Sequence, residues 1–392
     1  MPAYGIFKTI FKVIYAPHKA FKEVIQNPKY LGPILIMILF IVANVGFVYV
    51  AMSKTYIEQT LPSASPRADE WTENSTLWTS NTNNITESYD CVSGSYYGNK
   101  SIEFSIANST QIWMQLNNIG PINCSGVEGY KNMSFRIKLV HPTITELNNA
   151  SLFLYSSQTD YFYYNLTKHL TPFNSTIWNN ITIPTGPESG SWLNGTTKAD
   201  WSNITKLKFE FTWPENTNIT VLIDGLFFRG VFKSELENAA SYMLNYSSFA
   251  FMKFTIQWAV LSGIIYIMSK AFGGKAVWRT LLILVGFALI TLFIQAVINT
   301  AIYTAAPTLY YPIEFLGGAK GEYEIAYNKI LEETWLVSMI GNYVQIAIYI
   351  WTIALCAIAL RLLAEISWTK SFLVTTVAYF VSMLAESFLF GY

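Results

Sequence analysis

Residues 200–230 read DWSNITKLKFEFTWPENTNITVLIDGLFFRG. Leu207, Phe209, Phe211 and Trp213 alternate with Lys206, Lys208, Glu210 and Thr212, and Ile219, Val221 and Ile223 resume the alternation after a turn at 214–218. Period two is the signature of a strand with one packed face and one wet face. Working outward, Ile102, Phe104 and Ile106 repeat the pattern, as do Ile112, Met114 and Leu116, and then Phe135, Ile137 and Leu139. Several short strands separated by turn residues favour an all-β sandwich over residues 90–232. The opening stretch also holds two Asn-x-Ser/Thr triplets, at Asn203 and Asn218. The same triplet occurs at Asn74, Asn84, Asn108, Asn123, Asn132, Asn165, Asn174, Asn180, Asn194 and Asn245, and nowhere in the first 50 residues or after 247. Dense glycan acceptors in one segment predict a glycosylated extracytoplasmic domain.

The flanks differ in kind. The chain is 52% hydrophobic and 13% charged with mean hydropathy +0.30, against about 25% charged residues in a soluble domain. The formal net charge of zero implies no general attraction to nucleic acid. Apolar runs at 33–52, 248–269, 280–302, 337–360 and 372–389 each approach the roughly 20 residues that cross a bilayer, which predicts five spans. Lys8, Lys12, Lys19, Lys22 and Lys29 precede the first; Lys270, Lys275 and Arg279 follow the second; Arg361 and Lys370 follow the fourth. In a five-span chain all three clusters share one side, the cytoplasmic one. The N-terminus is then inside, as a retained signal anchor, and the C-terminus outside. Residues 53–247 and the acidic loop 303–336 fall on the sequon side. The expected domain order is a cytoplasmic amphipathic segment (1–32), a first span (33–52), a Pro-, Ser- and Asn-rich linker (53–89), the β-sandwich (90–232), a connector (233–247) and a four-span membrane domain (248–392).

Within the segment 1–32, Phe7, Ile10, Phe11, Ile14, Phe21, Val24 and Ile25 recur at helical spacing between lysines. That pattern suits helices on an anionic surface or short helices packed under the bundle. Asn44, Gln257, Gln295, Asn299, Asn342 and Gln345 lie within spans, where polar side chains join helices or line a path. Lys253 and Glu386 are costlier at that depth, and a Lys253–Glu386 pair joining spans two and five is expected. Cys91 and Cys124 are the two cysteines outside the spans. A disulfide between them would close about 34 residues and stabilise by roughly 4 kcal/mol on the chain-entropy model. Cys356 reads as apolar filler. His18, His141 and His169 are scattered and show no metal-ligand spacing, and no nucleophile–base set or spaced carboxylate pair points to an enzyme.

Two resemblances add to this reading. Trp201, the strand 207–211, the strand 221–223 and Asp224 resemble the end of a jelly-roll, carbohydrate-binding-module-like domain. That resemblance implies glycan contact through aromatic residues, here Trp113, Trp178, Trp192 and Trp201, and a structural calcium as the one cofactor to be considered. Ala16-Pro17, Phe21, Ile25, Asn27-Pro28 and Gly32-Pro33, with Phe272-Gly273-Gly274-Lys275-Ala276 and Trp278-Arg279-Thr280, resemble the Yip1-domain family over 5–52 and 248–392. Family members in eukaryotes act in vesicle trafficking with partner membrane proteins, and residues 53–247 depart from the family as an insertion. Such an insertion with dense sequons looks like an archaeal surface protein, although sequons equally suit a eukaryotic secretory membrane. The expected fold is an α-helical five-span bundle plus an extracytoplasmic all-β jelly-roll-like sandwich. The expected role is a non-enzymatic membrane assembly or scaffold protein, with a glycan-binding receptor or adhesion module and a transporter or channel subunit as alternatives. The expected partners are the bilayer, other integral membrane proteins and glycans.

Overall fold

The apolar runs become helices. The computed structural model describes residues 2–63, 69–143, 146–170 and 177–391, and the chain divides into two compact units. The first comprises Met1–Thr55, Ser234–Leu309 and Glu332–Tyr392. Its helices are α1 (Pro2–Tyr15), α2 (Pro17–Gln26), α3 (Leu31–Ser53), α5 (Ala239–Ala271), α6 (Trp278–Ala288), α7 (Ile290–Thr304), α9 (Glu322–Ala364) and α10 (Trp368–Phe390). The first ten residues of α9 belong to the other unit. Leu31–Ser53, Ala239–Ala271, Trp278–Thr304, Glu322–Ala364 and Trp368–Phe390 are long and apolar enough to cross a membrane. The five expected spans are therefore present as helices, the third divided at Leu289 into α6 and α7.

Local chemistry sets the helix ends. Pro17 starts α2, where its missing N–H costs nothing. The Ser367 side chain accepts the Lys370 N–H to cap α10, and Gly391 ends it in the left-handed region at φ 73°. Small residues set how closely helices approach. A Cβ on Gly286 would lie 2.6 Å from Pro33 and 2.8 Å from the Trp258 indole nitrogen, so α3, α5 and α6 meet where no side chain intervenes. Ile10, Val13, Ala20 and Phe21 are fully buried in the same core as the spans. The N-terminal helices thus pack against the bundle by one face, while Phe7, Phe11 and Tyr15 remain exposed.

The second unit comprises Tyr56–Lys233 and Tyr310–Leu331. Its strands are β1 (Thr55–Leu61), β2 (Trp78–Ser80), β3 (Asn84–Ser88), β4 (Ser101–Ile122), β5 (Asn132–His141), β6 (Asn149–Tyr155), β7 (Tyr161–Asn165), β8 (Asn179–Pro184), β9 (Leu193–Asn194), β10 (Ile204–Ser234) and β11 (Leu309–Tyr311), with short helices α4 (Glu70–Glu73) and α8 (Ile313–Gly317). All eleven strands join one hydrogen-bonded sheet, with the path β11-β1-β10-β6-β7-β9 and the others attached through β4 and β5. The two long strands β4 and β10 pair antiparallel from Ile204↔Ile122 to Ile223↔Ile102, with register shifts near Thr212 and Thr217. One half of β10 then pairs β6 and the other half β5. The alternating apolar residues read from the sequence, Leu207 to Trp213, Ile219 to Ile223, Ile112 to Leu116 and Phe135 to Leu139, all lie in one buried core.

Three expectations meet a different structure. Residues 53–89, expected as a linker, contribute β1, α4, β2 and β3, and Trp78 is buried against Phe104. The acidic loop 303–336 contributes β11 and α8. The disulfide between Cys91 and Cys124 is absent: all three cysteines are free. The two partners flank β4, a strand of 22 residues with a contour of roughly 70 Å at about 3.3 Å per residue, whereas a bridge needs Cα atoms within about 7 Å. Cys124 is instead core filler, its thiol pushed up to about 12 by burial.

Candidate functional site

The wet face of the alternating strands is where chemistry gathers in the β unit. Because Phe209, Phe211 and Leu207 point into the core, Lys206, Lys208 and Glu210 point out. Register then fixes their neighbours. One row across the sheet is Thr79, Gln115, Lys208, Phe153 and Tyr163. The next is Asn117, Lys206, Tyr155 and Tyr161. A third is Trp113, Glu210, Ser151 and Asn165. The aromatic rings touch: Phe153 lies 5.6 Å from Tyr161 and 5.4 Å from Tyr163, and Tyr155 lies 5.5 Å from Tyr161, between centroids. Lys206 sits 4.5 Å over Tyr155, and Lys208 5.4 Å from both Trp113 and Phe153. Lys208 also pairs with Glu210, and Gln115 donates to Asn117 at 2.8 Å. Partial burial raises the Tyr155 phenol above its ordinary value, so it stays a hydroxyl donor. The result is a half-buried aromatic floor with amides, hydroxyls and ammonium groups standing on it.

Of the four tryptophans picked out by sequence, Trp113 belongs to this face. Trp201 is buried and stacks on Phe162 at 3.9 Å. Trp192 packs edge-on to Trp201 and donates to the Pro184 carbonyl at 2.8 Å. Trp178 packs against a small cluster containing Val92, Tyr97 and Phe227. Phe153, Tyr155, Tyr161 and Tyr163 were not singled out by sequence. In 151–155 and 161–165 aromatic and apolar residues occupy both parities, so period alone does not say which point outward; strand register does.

The sequons frame this face. Asn165 ends β7, Asn194 lies in β9 and Asn203 precedes β10. The same triplet also occurs at Asn99 and Asn149; Asn149 begins β6. No triplet falls within 111–117, 151–164 or 204–212. Asn74, Asn84, Asn108, Asn123, Asn132, Asn180 and Asn218 lie elsewhere in the β unit and Asn245 in α5. Asn174 lies outside the described residues.

A second polar cluster lies inside the β unit. Asp69 and Asp224 are fully buried. Asp224 accepts the Val92 and Gly225 N–H groups at 2.6 and 2.7 Å, while Asp69 Oδ1 has no hydrogen-bond partner. Burial, with mutual repulsion at Asp69, raises both carboxyls well above the ordinary range. Among the described residues no group of three or more His, Cys, Asp or Glu side chains is arranged to hold a metal. Calcium, however, also takes backbone and hydroxyl oxygens. If such a cation bound in this unit, Asp69 and Asp224 would be the carboxylates to hold it, in place of the hydrogen bond they share without it. Bound there, calcium would supply charge neutralisation and crosslinking of the 69–73 segment to β10, not reaction chemistry.

Two arginines hold segment 310–331 to the β sheet. Arg229 makes paired bonds to Glu58 (2.9 and 2.7 Å) and to Glu314 (2.6 and 2.8 Å). Glu58 also accepts the N–H groups of Gly230 and Ile313. Arg136 binds Glu322 at 2.7 and 2.8 Å and lies 4.3 Å over the Tyr97 ring. In the helical unit, Lys253 and Glu386 line one cavity together with Gln257 and Gln345. No ion pair joins Lys253 to Glu386 within 4 Å.

Residues 216–387 match the Yip1 domain. The C-terminal multi-span region is therefore Yip1-like, the match taking in α5 to α10 and the end of β10. Comparison with curated proteins finds no match. Among solved structures, the family 11 carbohydrate-binding module from Clostridium thermocellum in complex with a β-1,3-1,4-mixed-linked tetrasaccharide is 17% identical. That likeness covers 43% of this chain and 94% of the module, with a TM-score of 0.27. A family 30 carbohydrate-binding module of a Clostridium thermocellum cellulosomal cellulase is 14% identical, over 45% of this chain and 98% of that one, with a TM-score of 0.29. A β-1,2-glucanase from Parabacteroides distasonis is 13% identical, over 41% and 25%, with a TM-score of 0.30. Similarity at this level says nothing about a ligand for this chain.

Proposed function

We propose that this chain is a non-enzymatic, multi-pass membrane scaffold whose β unit recognises glycans. The helical region anchors it, with the N-terminus cytoplasmic, the β unit extracytoplasmic as a jelly-roll-like sandwich, and the sequons glycosylated. One observation carries the recognition role: the aromatic face of Trp113, Phe153, Tyr155, Tyr161 and Tyr163, bearing Lys206 and Lys208, has sequons at its borders and none across its middle. A sugar ring is apolar on its C–H faces and polar at its rim. Aromatic rings take the first, and Gln115, Asn117, Glu210 and the two lysines take the second. Elsewhere on a heavily glycosylated surface such a floor would be shielded.

The test uses the full chain in detergent on an array of oligosaccharides and polysaccharides. Wild-type protein is expected to bind a chemically related group of glycans, and Tyr161→Ala to lose them. An array on which wild type binds nothing, or on which Tyr161→Ala binds as wild type does, would falsify the proposal. Mapping glycopeptides by mass tests the orientation in parallel.

A further inference from the structure

Four of the long apolar helices line a half-open cavity of about 520 Å³, within the range of small-molecule sites. Lys253 and Gln257 reach it from α5, Gln295 from α7, Gln345 and Tyr349 from α9, and Glu386 from α10. On α5 and α9 the pairs stand four residues apart, so each helix turns one polar stripe inward. If these groups served only as interhelical glue, they would bond to one another, as Thr291 and Thr352 do at 2.7 Å. Gln345 does so with Tyr349 on its own helix. Gln257 bonds to Tyr379 of α10, yet it is 2% exposed and its side-chain oxygen has no partner. One Glu386 carboxylate oxygen is likewise buried and unpartnered, and Lys253 makes no ion pair with it. Leaving two buried acceptor oxygens unsatisfied at membrane depth is costly, and a bound molecule of matching chemistry removes that cost.

We infer that this cavity is a binding site for a small zwitterion carrying a primary ammonium group and an anionic group. The anionic group faces Lys253. The ammonium donates to Glu386 and to the Gln257 carbonyl oxygen, which need donors rather than a bare positive charge. Gln295 and Gln345 supply amides for the remaining polar atoms. Two sources share this chemistry: the headgroup of an aminophospholipid, and a free amino acid. The inference stands apart from the glycan reading, since it concerns other residues and another ligand class.

The experiment uses the full chain in nanodiscs of three kinds. One is phosphatidylcholine only, one contains phosphatidylethanolamine, and one is phosphatidylcholine with free glycine in the buffer. Native mass spectrometry reads the retained ligand, and melting reads stability. Wild type is expected to retain, and be stabilised by, phosphatidylethanolamine or glycine, the responding arm naming the source. The quaternary ammonium of phosphatidylcholine has no N–H to donate and is expected to do neither. Glu386→Gln should weaken retention by about tenfold or more without lowering the melting temperature of the unliganded protein, because it removes an unpartnered carboxylate. Lys253→Met tests the other end of the site should Glu386→Gln fail to fold. The inference is overturned if neither zwitterion is retained nor shifts melting. It is also overturned if phosphatidylcholine serves equally, or if the variants retain ligand as wild type does.

Discussion

Asp69 and Asp224 show how much a single pair of side chains sets. Each is buried where a lone carboxylate is unfavourable, and Asp69 keeps one oxygen without a partner. With no cation, the folded carboxyls hold protons that the unfolded chain has already released, so the folded state binds more protons than the unfolded one. Stability then falls as pH rises from the ordinary carboxylate range. With chelator present, melting of the full chain followed by tryptophan fluorescence is expected to drop between about pH 5 and about pH 9. Calcium should restore it at the upper pH and matter little at the lower, since metal and proton compete for the same oxygens. A melting temperature indifferent to both pH and calcium would contradict this account. Asp224 was singled out in the sequence as part of the jelly-roll-like ending, and in the fold it accepts the Gly225 N–H. Asp69 was not, because it lies 155 residues away on a segment that lacks periodicity.

Among the elements, the segment 310–331 departs most from what its sequence suggests. Its acidic residues mark a loop on the sequon side, and nothing in their spacing says that Glu314 and Glu322 are the counter-ions of Arg229 and Arg136. Pairing across such sequence distances belongs to tertiary structure. The strands were legible where one face is uniformly apolar and the other polar, as in 207–213, and illegible where apolar or aromatic residues occupy both faces, as in 151–155 and 161–165. Segment 53–89 misled for a related reason: β2 and β3 are three and five residues long, too short to show a period. Removing the Arg229 charge as Arg229→Met leaves Glu58 buried without a cation, at a cost of about 3–5 kcal/mol. Hydrogen exchange should then show the Ile313 and Gly230 amides, which both donate to Glu58, losing protection before the β4–β10 core. Unchanged protection at those two amides would show that the ion pairs do not hold the segment.

For the whole molecule, composition alone separated apolar flanks from a sequon-bearing middle segment, and all five helices long and apolar enough to cross a membrane were legible from run length. The Gly32-Pro33 motif found its physical cause in the close contact of α3 with Gly286 of α6. The cysteine pair failed because an oxidising location makes a disulfide favourable only where the fold brings the thiols together, and β4 separates them. The central claim is that the framed aromatic face makes the anchored β unit a glycan receptor. The most direct measurement is a binding titration of the full chain in nanodiscs with the strongest oligosaccharide from the array. Wild type is compared with Tyr155→Ala/Tyr161→Ala, and melting serves as the folding control. The account predicts a loss of at least about tenfold in affinity from two missing aromatic stacks, with melting unchanged because both side chains point away from the core. Equal affinity in the double variant would contradict it.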